Sequence, residues 1–115
     1  MSYDEDLAFR LRALLADVEG LEEKPMFGGL AFLVGGAMAI AASREGGLLV
    51  RVAPERTAAL LSRAHTAPFV MRGREMDGWL RVSAEGCRTR RALAGWVTIG
   101  VATARALPPR ARRRG

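Results

Sequence analysis

The stretch from Lys24 to Val52, KPMFGGLAFLVGGAMAIAASREGGLLVRV, decides how this chain folds. It is apolar along most of its length and is cut by paired glycines. Gly35-Gly36 and Arg44-Glu45-Gly46-Gly47 are turn sequences of the kind that join adjacent strands. Lys24 to Val34 therefore reads as one long strand, with Gly28-Gly29 as a bend or bulge inside it. Ala37 to Ala42 reads as a second strand and Leu48 to Val52 as a third. Strands joined by turns this short form an antiparallel meander.

On the N-terminal side of this stretch the period changes. Leu7, Leu11, Leu14, Leu15 and Val18 recur at helical spacing, with Asp6, Arg10, Arg12 and Asp17 opposite them. This predicts a helix over about Tyr3 to Asp17, its first turn acidic as the helix dipole favours, closed by Gly20. On the C-terminal side, Pro54 suits a first helical turn, and a second helix is expected from Pro54 to Arg63. It would bury Ala58 and Leu61, helped by Leu60, and end at Thr66-Ala67-Pro68. Phe69 to Met71 and Gly78 to Val82 read as two further strands, with turn chemistry in Arg72-Gly73-Arg74 and Asp77-Gly78.

The last element is the clearest. Leu93, Trp96, Val97, Gly100, Val101, Ala104 and Leu107 make one helical stripe, with Thr89 as the N-cap and Pro108-Pro109 as the stop. The element order is α-β-β-β-α-β-β-α. It predicts a two-layer α+β fold, an antiparallel sheet with helices packed on one face. Residues 1–109 are expected to form a single domain and 110–115 a disordered basic tail.

Composition narrows the function classes. The formal net charge is +6, but four of those charges belong to Arg110, Arg112, Arg113 and Arg114, which leaves the body only mildly basic. The high pI describes the tail more than a surface built for DNA. One cysteine, Cys87, excludes an intrachain disulfide and a cysteine metal cluster, and fits a reducing compartment. Asp4, Glu5 and Asp6 stand where a signal peptide carries basic residues. Leu30 to Ala42, the longest nearly apolar run, falls short of the roughly 20 residues a membrane helix needs. A cytoplasmic protein that does not enter the membrane is expected.

Four segments in this order resemble the N-terminal domain of the TfoX/Sxy family. They are Lys24-Pro25-Met26-Phe27-Gly28-Gly29; Leu48-Leu49-Val50-Arg51-Val52 leading into Pro54-Glu55; Pro68-Phe69, Met71-Arg72-Gly73-Arg74, Met76 and Gly78-Trp79-Leu80-Arg81-Val82; and the closing helix with Trp96, Gly100 and Ala104 before Leu107-Pro108-Pro109. The resemblance runs from about Leu7 to Pro109. It implies the same two-layer α+β fold and a role in transcription regulation, since the family includes activators of natural competence genes that act alongside a global transcription factor. Fuller regulators of the family carry a second, C-terminal domain, so the expectation here is a stand-alone N-terminal domain. The family offers no catalytic residues to transfer.

The residues themselves nominate no catalytic centre, no cofactor and no metal site. His65 reads as a surface loop histidine, without metal-ligand spacing to Cys87 or to the acidic residues. Cys87 has Arg88, Arg90 and Arg91 nearby but no base to activate it. Met26-Phe27-Gly28-Gly29 lacks the Walker lysine and the Rossmann spacing, and reads as strand-bending glycines beside a core aromatic.

The sheet is more informative. If Val50, Val52, Leu80 and Val82 face the helices, then Leu49, Arg51, Trp79 and Arg81 face the other way, with Arg72 and Arg74 beside them. Arginine and tryptophan are enriched at binding hot spots, so these residues form the expected interaction surface, beside the equally weighted plainer reading of a sheet face partly covered by loops. A protein partner is expected, with the transcription machinery as a candidate, and a homodimer is a second way to cover this face. The alternative is nonspecific nucleic-acid binding by the tail arginines with help from the sheet. An enzyme is not expected.

Overall fold

In the computed structural model, which describes residues 3–26 and 28–107, Asp4 begins the first helix. Its carboxylate accepts the backbone N–H groups of Asp6 and Leu7 at 2.9 and 3.2 Å, satisfying two donors that have no partner within the helix. Helix α1 runs Glu5–Leu15. Strands β1 (Leu21–Met26), β2 (Gly29–Val34), β3 (Ala37–Ala42) and β4 (Leu48–Arg51) follow. A 3-10 turn, Pro54–Arg56, runs into the short α2 (Thr57–Leu60). Strands β5 (Thr66–Met71) and β6 (Arg74–Val82), a 3-10 turn at Ala84–Cys87 and helix α3 (Arg90–Ala106) complete the order. Thr89 caps α3 by accepting the N–H of Ala92 at 3.1 Å, as its position predicts.

The α+β class and the antiparallel sheet agree with the sequence reading, but the order contains one more strand. The apolar run around Gly28 is not one bent strand. It turns back on itself, so that β1 and β2 form a hairpin with Met26 opposite Gly29. Gly28 has φ of +78°, which a bulge-free strand does not contain. Phe27 lies outside the described residues. The second helix is also shorter than expected, and it buries Thr57 and Leu60 while Ala58 is exposed.

Among the described residues the six strands form one sheet in the order β1-β2-β3-β4-β6-β5. Every pair is antiparallel. One face carries the main core. Leu7, Leu11 and Leu15 of α1, Leu60 of α2, and Leu93, Trp96, Val97 and Ala104 of α3 pack there on Phe32, Ile40, Val50, Leu80 and Val82. Burial of each leucine, isoleucine, valine or phenylalanine among these stabilises the fold by about 1.5–3 kcal/mol. Ala39 is the extra residue of a bulge, because Phe32 pairs with Ile40 and Leu33 with Met38. Its carbonyl faces α3 at Gly100, where even a methyl group would be too close.

Candidate functional site

The face without helices is not a flat exposed sheet. Ala31, Met38, Ala41 and Leu49 are buried on it, and Met26, Leu33, Phe69 and Trp79 pack over them. Met26 comes from one edge strand and Phe69 from the other. In a flat six-stranded sheet those edges would stand about 24 Å apart, five gaps of about 4.8 Å each. Met26 and Phe69 nevertheless line one small cleft, too small to span that distance, so the sheet curls around this face. The bulge at Ala39 and the irregular pairing of β5 with β6 between Pro68 and Val70 supply the curvature.

The predicted surface residues divide within this concave face. Arg51 and Trp79 are direct cross-strand partners, and the Arg51 guanidinium lies 4.4 Å from the centre of the Trp79 ring. Trp79 in turn meets Phe69, with ring centres 6.3 Å apart at a 59° tilt. Burial draws the Arg51 guanidinium below its ordinary pKa, and its Nε has no hydrogen-bond partner. These two residues belong to the packing of the face. Arg81 forms an ion pair with Glu45 of the β3–β4 turn. Arg72 and Arg74 are exposed at the β5–β6 turn. Arg110, Arg112, Arg113 and Arg114 lie outside the described residues.

Beside this cluster is an open cleft of about 340 Å³. Its apolar lining includes Met26, Leu49, Phe69 and Met71, and its polar lining includes Arg44, Arg72, Arg81 and Glu45. The β3–β4 turn that carries Arg44 and Glu45 is held by Ser43, whose N–H donates to Gly47 at 2.9 Å and whose Oγ accepts the Glu45 N–H at 3.1 Å. Gly28-Gly29 sets the position of Arg44. A Cβ on Gly28 would stand 2.6 Å from Arg44 Cδ, so the missing side chain lets the arginine stem lie across the β1–β2 turn. The sequence reading marked Arg44 and Glu45 only as turn residues. Their meeting with Phe69, Met71 and Arg81 depends on the curl of the sheet, which leaves no local signal.

The other candidates are accounted for locally. His65 is exposed, has φ of +67°, and its Nδ1 lies 3.8 Å from Glu85. Cys87 is buried at 2% exposure, and burial pushes its thiol pKa up, against a smaller opposing effect of Arg10. Arg10 also donates to the carbonyls of Cys87 and Arg88 at 2.9 and 3.0 Å, tying α1 to the start of α3. Among the described residues no three His, Cys, Asp or Glu side chains converge as a metal site would require. No helix among them is long and apolar enough to cross a membrane.

These features define a class: a two-layer α+β domain with helices on one sheet face and a curled, arginine-rimmed concavity on the other. Residues 13–104 match the family model of the TfoX N-terminal domain, and the chain belongs to that family. No curated protein matches the sequence.

Proposed function

We propose that this chain is a non-enzymatic recognition domain that acts in transcription regulation by holding a protein partner against its concave sheet face. The observation that carries this reading is the convergence of apolar and arginine side chains from both edges and the centre of the sheet. Arginine with large apolar side chains is the composition of binding hot spots. Family membership supports the regulatory context. The Cys87 thiol is buried and burial raises its pKa, which leaves it without the thiolate a nucleophile needs and favours binding over catalysis. The test is photo-crosslinking in cells, with a photoreactive residue at Met71 or, as a control, at Asp17. A specific adduct with a component of the transcription apparatus from Met71 alone is the expected result. Equal labelling from both positions would overturn the reading.

Nucleic-acid binding is the second reading. Arg44, Arg72 and Arg74 are exposed, Arg44 and Arg72 line the same cleft, and the tail adds four more arginines. Binding of this origin neutralises phosphates and weakens steeply with salt. A titration of duplex and single-stranded DNA at low and near-physiological salt, with the full chain and with a chain ending at Pro109, separates the two readings. Affinity that persists at near-physiological salt would favour nucleic acid.

A further inference from the structure

We propose that the cleft on the concave face is a binding site for a small amphipathic carboxylate, with its apolar body on Leu49, Phe69 and Met71 and its anionic head between Arg44 and Arg72. This goes beyond the protein-contact reading and stands or falls separately from it.

Three observations meet here. The first is size: about 340 Å³ lies at the lower end of small-molecule sites, enough for a body of roughly ten non-hydrogen atoms. The second is charge. Of the three arginines that line the cleft, Arg81 is paired with Glu45, whereas Arg44 and Arg72 have no carboxylate partner among the described residues. An arginine fork matches a carboxylate in shape and charge, and an apolar floor beneath two such forks suits a ligand with one anionic end.

The third is conformational. Arg72 sits at φ of +54°, followed by Gly73 at +78°, in the tight turn between β5 and β6. That position favours Asn, Asp or Gly, and an arginine there is held in a sparsely populated backbone state. Backbone strain retained for a particular side chain points to a use for that side chain. The turn could close with Asn at lower conformational cost, but Asn would not reach the cleft as a cation.

The experiment is a titration of the full chain, labelled with nitrogen-15, with octanoate, octanol and octyltrimethylammonium, each below its micelle concentration. The expected result is saturable octanoate binding, with shifts confined to Ala41–Glu45, Leu49 and Phe69–Arg72. Octanol and the cationic probe should bind at least about tenfold more weakly. Arg44→Ala and Arg72→Asn should each weaken octanoate binding about tenfold or more, while Arg72→Asn melts at or above the wild-type temperature. Equal binding of the three probes, absence of saturable octanoate binding, or undiminished affinity in both variants would each overturn the proposal. Because Arg72→Asn relieves the turn, loss of binding in that variant does not reflect unfolding.

Discussion

The guanidinium of Arg51 lies 4.4 Å above the ring of Trp79, its direct partner across the β4–β6 ladder. Both residues are half-buried, and Trp79 helps cover Ala31, Met38, Ala41 and Leu49. The pair is therefore part of a second small core on the concave face.

This relationship predicts an asymmetric outcome. Trp79→Ala removes the cover of that core and should cost about 2–3 kcal/mol, less than a fully buried tryptophan. Arg51→Met keeps the apolar stem, loses a cation–π contact worth about 0.5–1 kcal/mol, and removes a buried Nε that lacks a partner. It should stay within about 1 kcal/mol of wild type. Urea melts of the two variants check this. Equal losses would mean that the guanidinium itself holds the face together.

Thr57 is the one polar side chain in the buried set, at 6% exposure among the described residues. Its Oγ1 accepts the N–H of Gly78 at 2.9 Å and lies 3.4 Å from the Ala53 carbonyl. Gly78 needs this acceptor because the β4–β6 ladder ends beside it: Arg51 and Trp79 are the last paired residues, and the Gly78 carbonyl already accepts the Val52 N–H at 2.9 Å on that same side. Thr57→Val keeps the shape and strands the Gly78 donor, so it should cost about 1–3 kcal/mol. Thr57→Ser should retain most of that stability. A loss under about 0.5 kcal/mol for the valine variant would show that water replaces the hydroxyl.

How much of this architecture was legible depends on the range of each determinant. Helix α3 and strand β3 were readable because their signals are local: a stripe at helical spacing, and an apolar run bounded by paired glycines. The facing of Leu49, Arg51, Trp79 and Arg81 away from the helices followed from the two-residue period of a strand. Only Lys24 to Met26 of β1 reads as strand, and as part of β2, because Glu22, Glu23, Lys24 and Pro25 are exposed on a sheet edge and show no alternation. Pro68 looked like a terminator, yet it sits inside β5, an edge strand, where a missing N–H is tolerated. The cleft was illegible for another reason. It joins Met26, Arg44 and Phe69 through curvature generated by irregular pairing, and no local pattern encodes that meeting.

Burial makes Cys87 a pH reporter of the fold. Its pKa in the folded chain is raised, so the native state holds the thiol proton more tightly than the unfolded chain does. The stabilisation is fully present below the unfolded thiol value of about 8.5 and declines as pH rises through and above it. The urea midpoint of the wild type should therefore fall more steeply between pH 8 and 10 than that of Cys87→Ala. An aromatic disulfide reagent should react with Cys87 only on unfolding, because the thiolate is the reactive form and the thiol is inaccessible. Rapid stoichiometric labelling of the native chain would contradict this placement.

Two glycines of α3 give opposite expectations from the same substitution. Gly95 is exposed, and a Cβ built there meets nothing within 4 Å. Gly95→Ala should stabilise the domain by about 0.5–1 kcal/mol, the usual gain of alanine over glycine inside a helix. Gly100 lies on the buried stripe, where a Cβ would approach the Ala39 carbonyl closer than 3.0 Å. That carbonyl belongs to the bulge residue of β3, so the strand cannot retreat without breaking the pairing of Phe32 with Ile40 on one side or Leu33 with Met38 on the other. The helix must shift instead, disturbing Trp96, Val97 and Ala104 on the sheet, and Gly100→Ala should cost about 1–3 kcal/mol. Thermal melts of the two variants measure the difference directly. A Gly100→Ala chain as stable as wild type would mean that α3 stands further from the bulge in solution. If Gly95→Ala were equally damaging, the sensitivity would belong to the helix as a whole and not to its contact with Ala39.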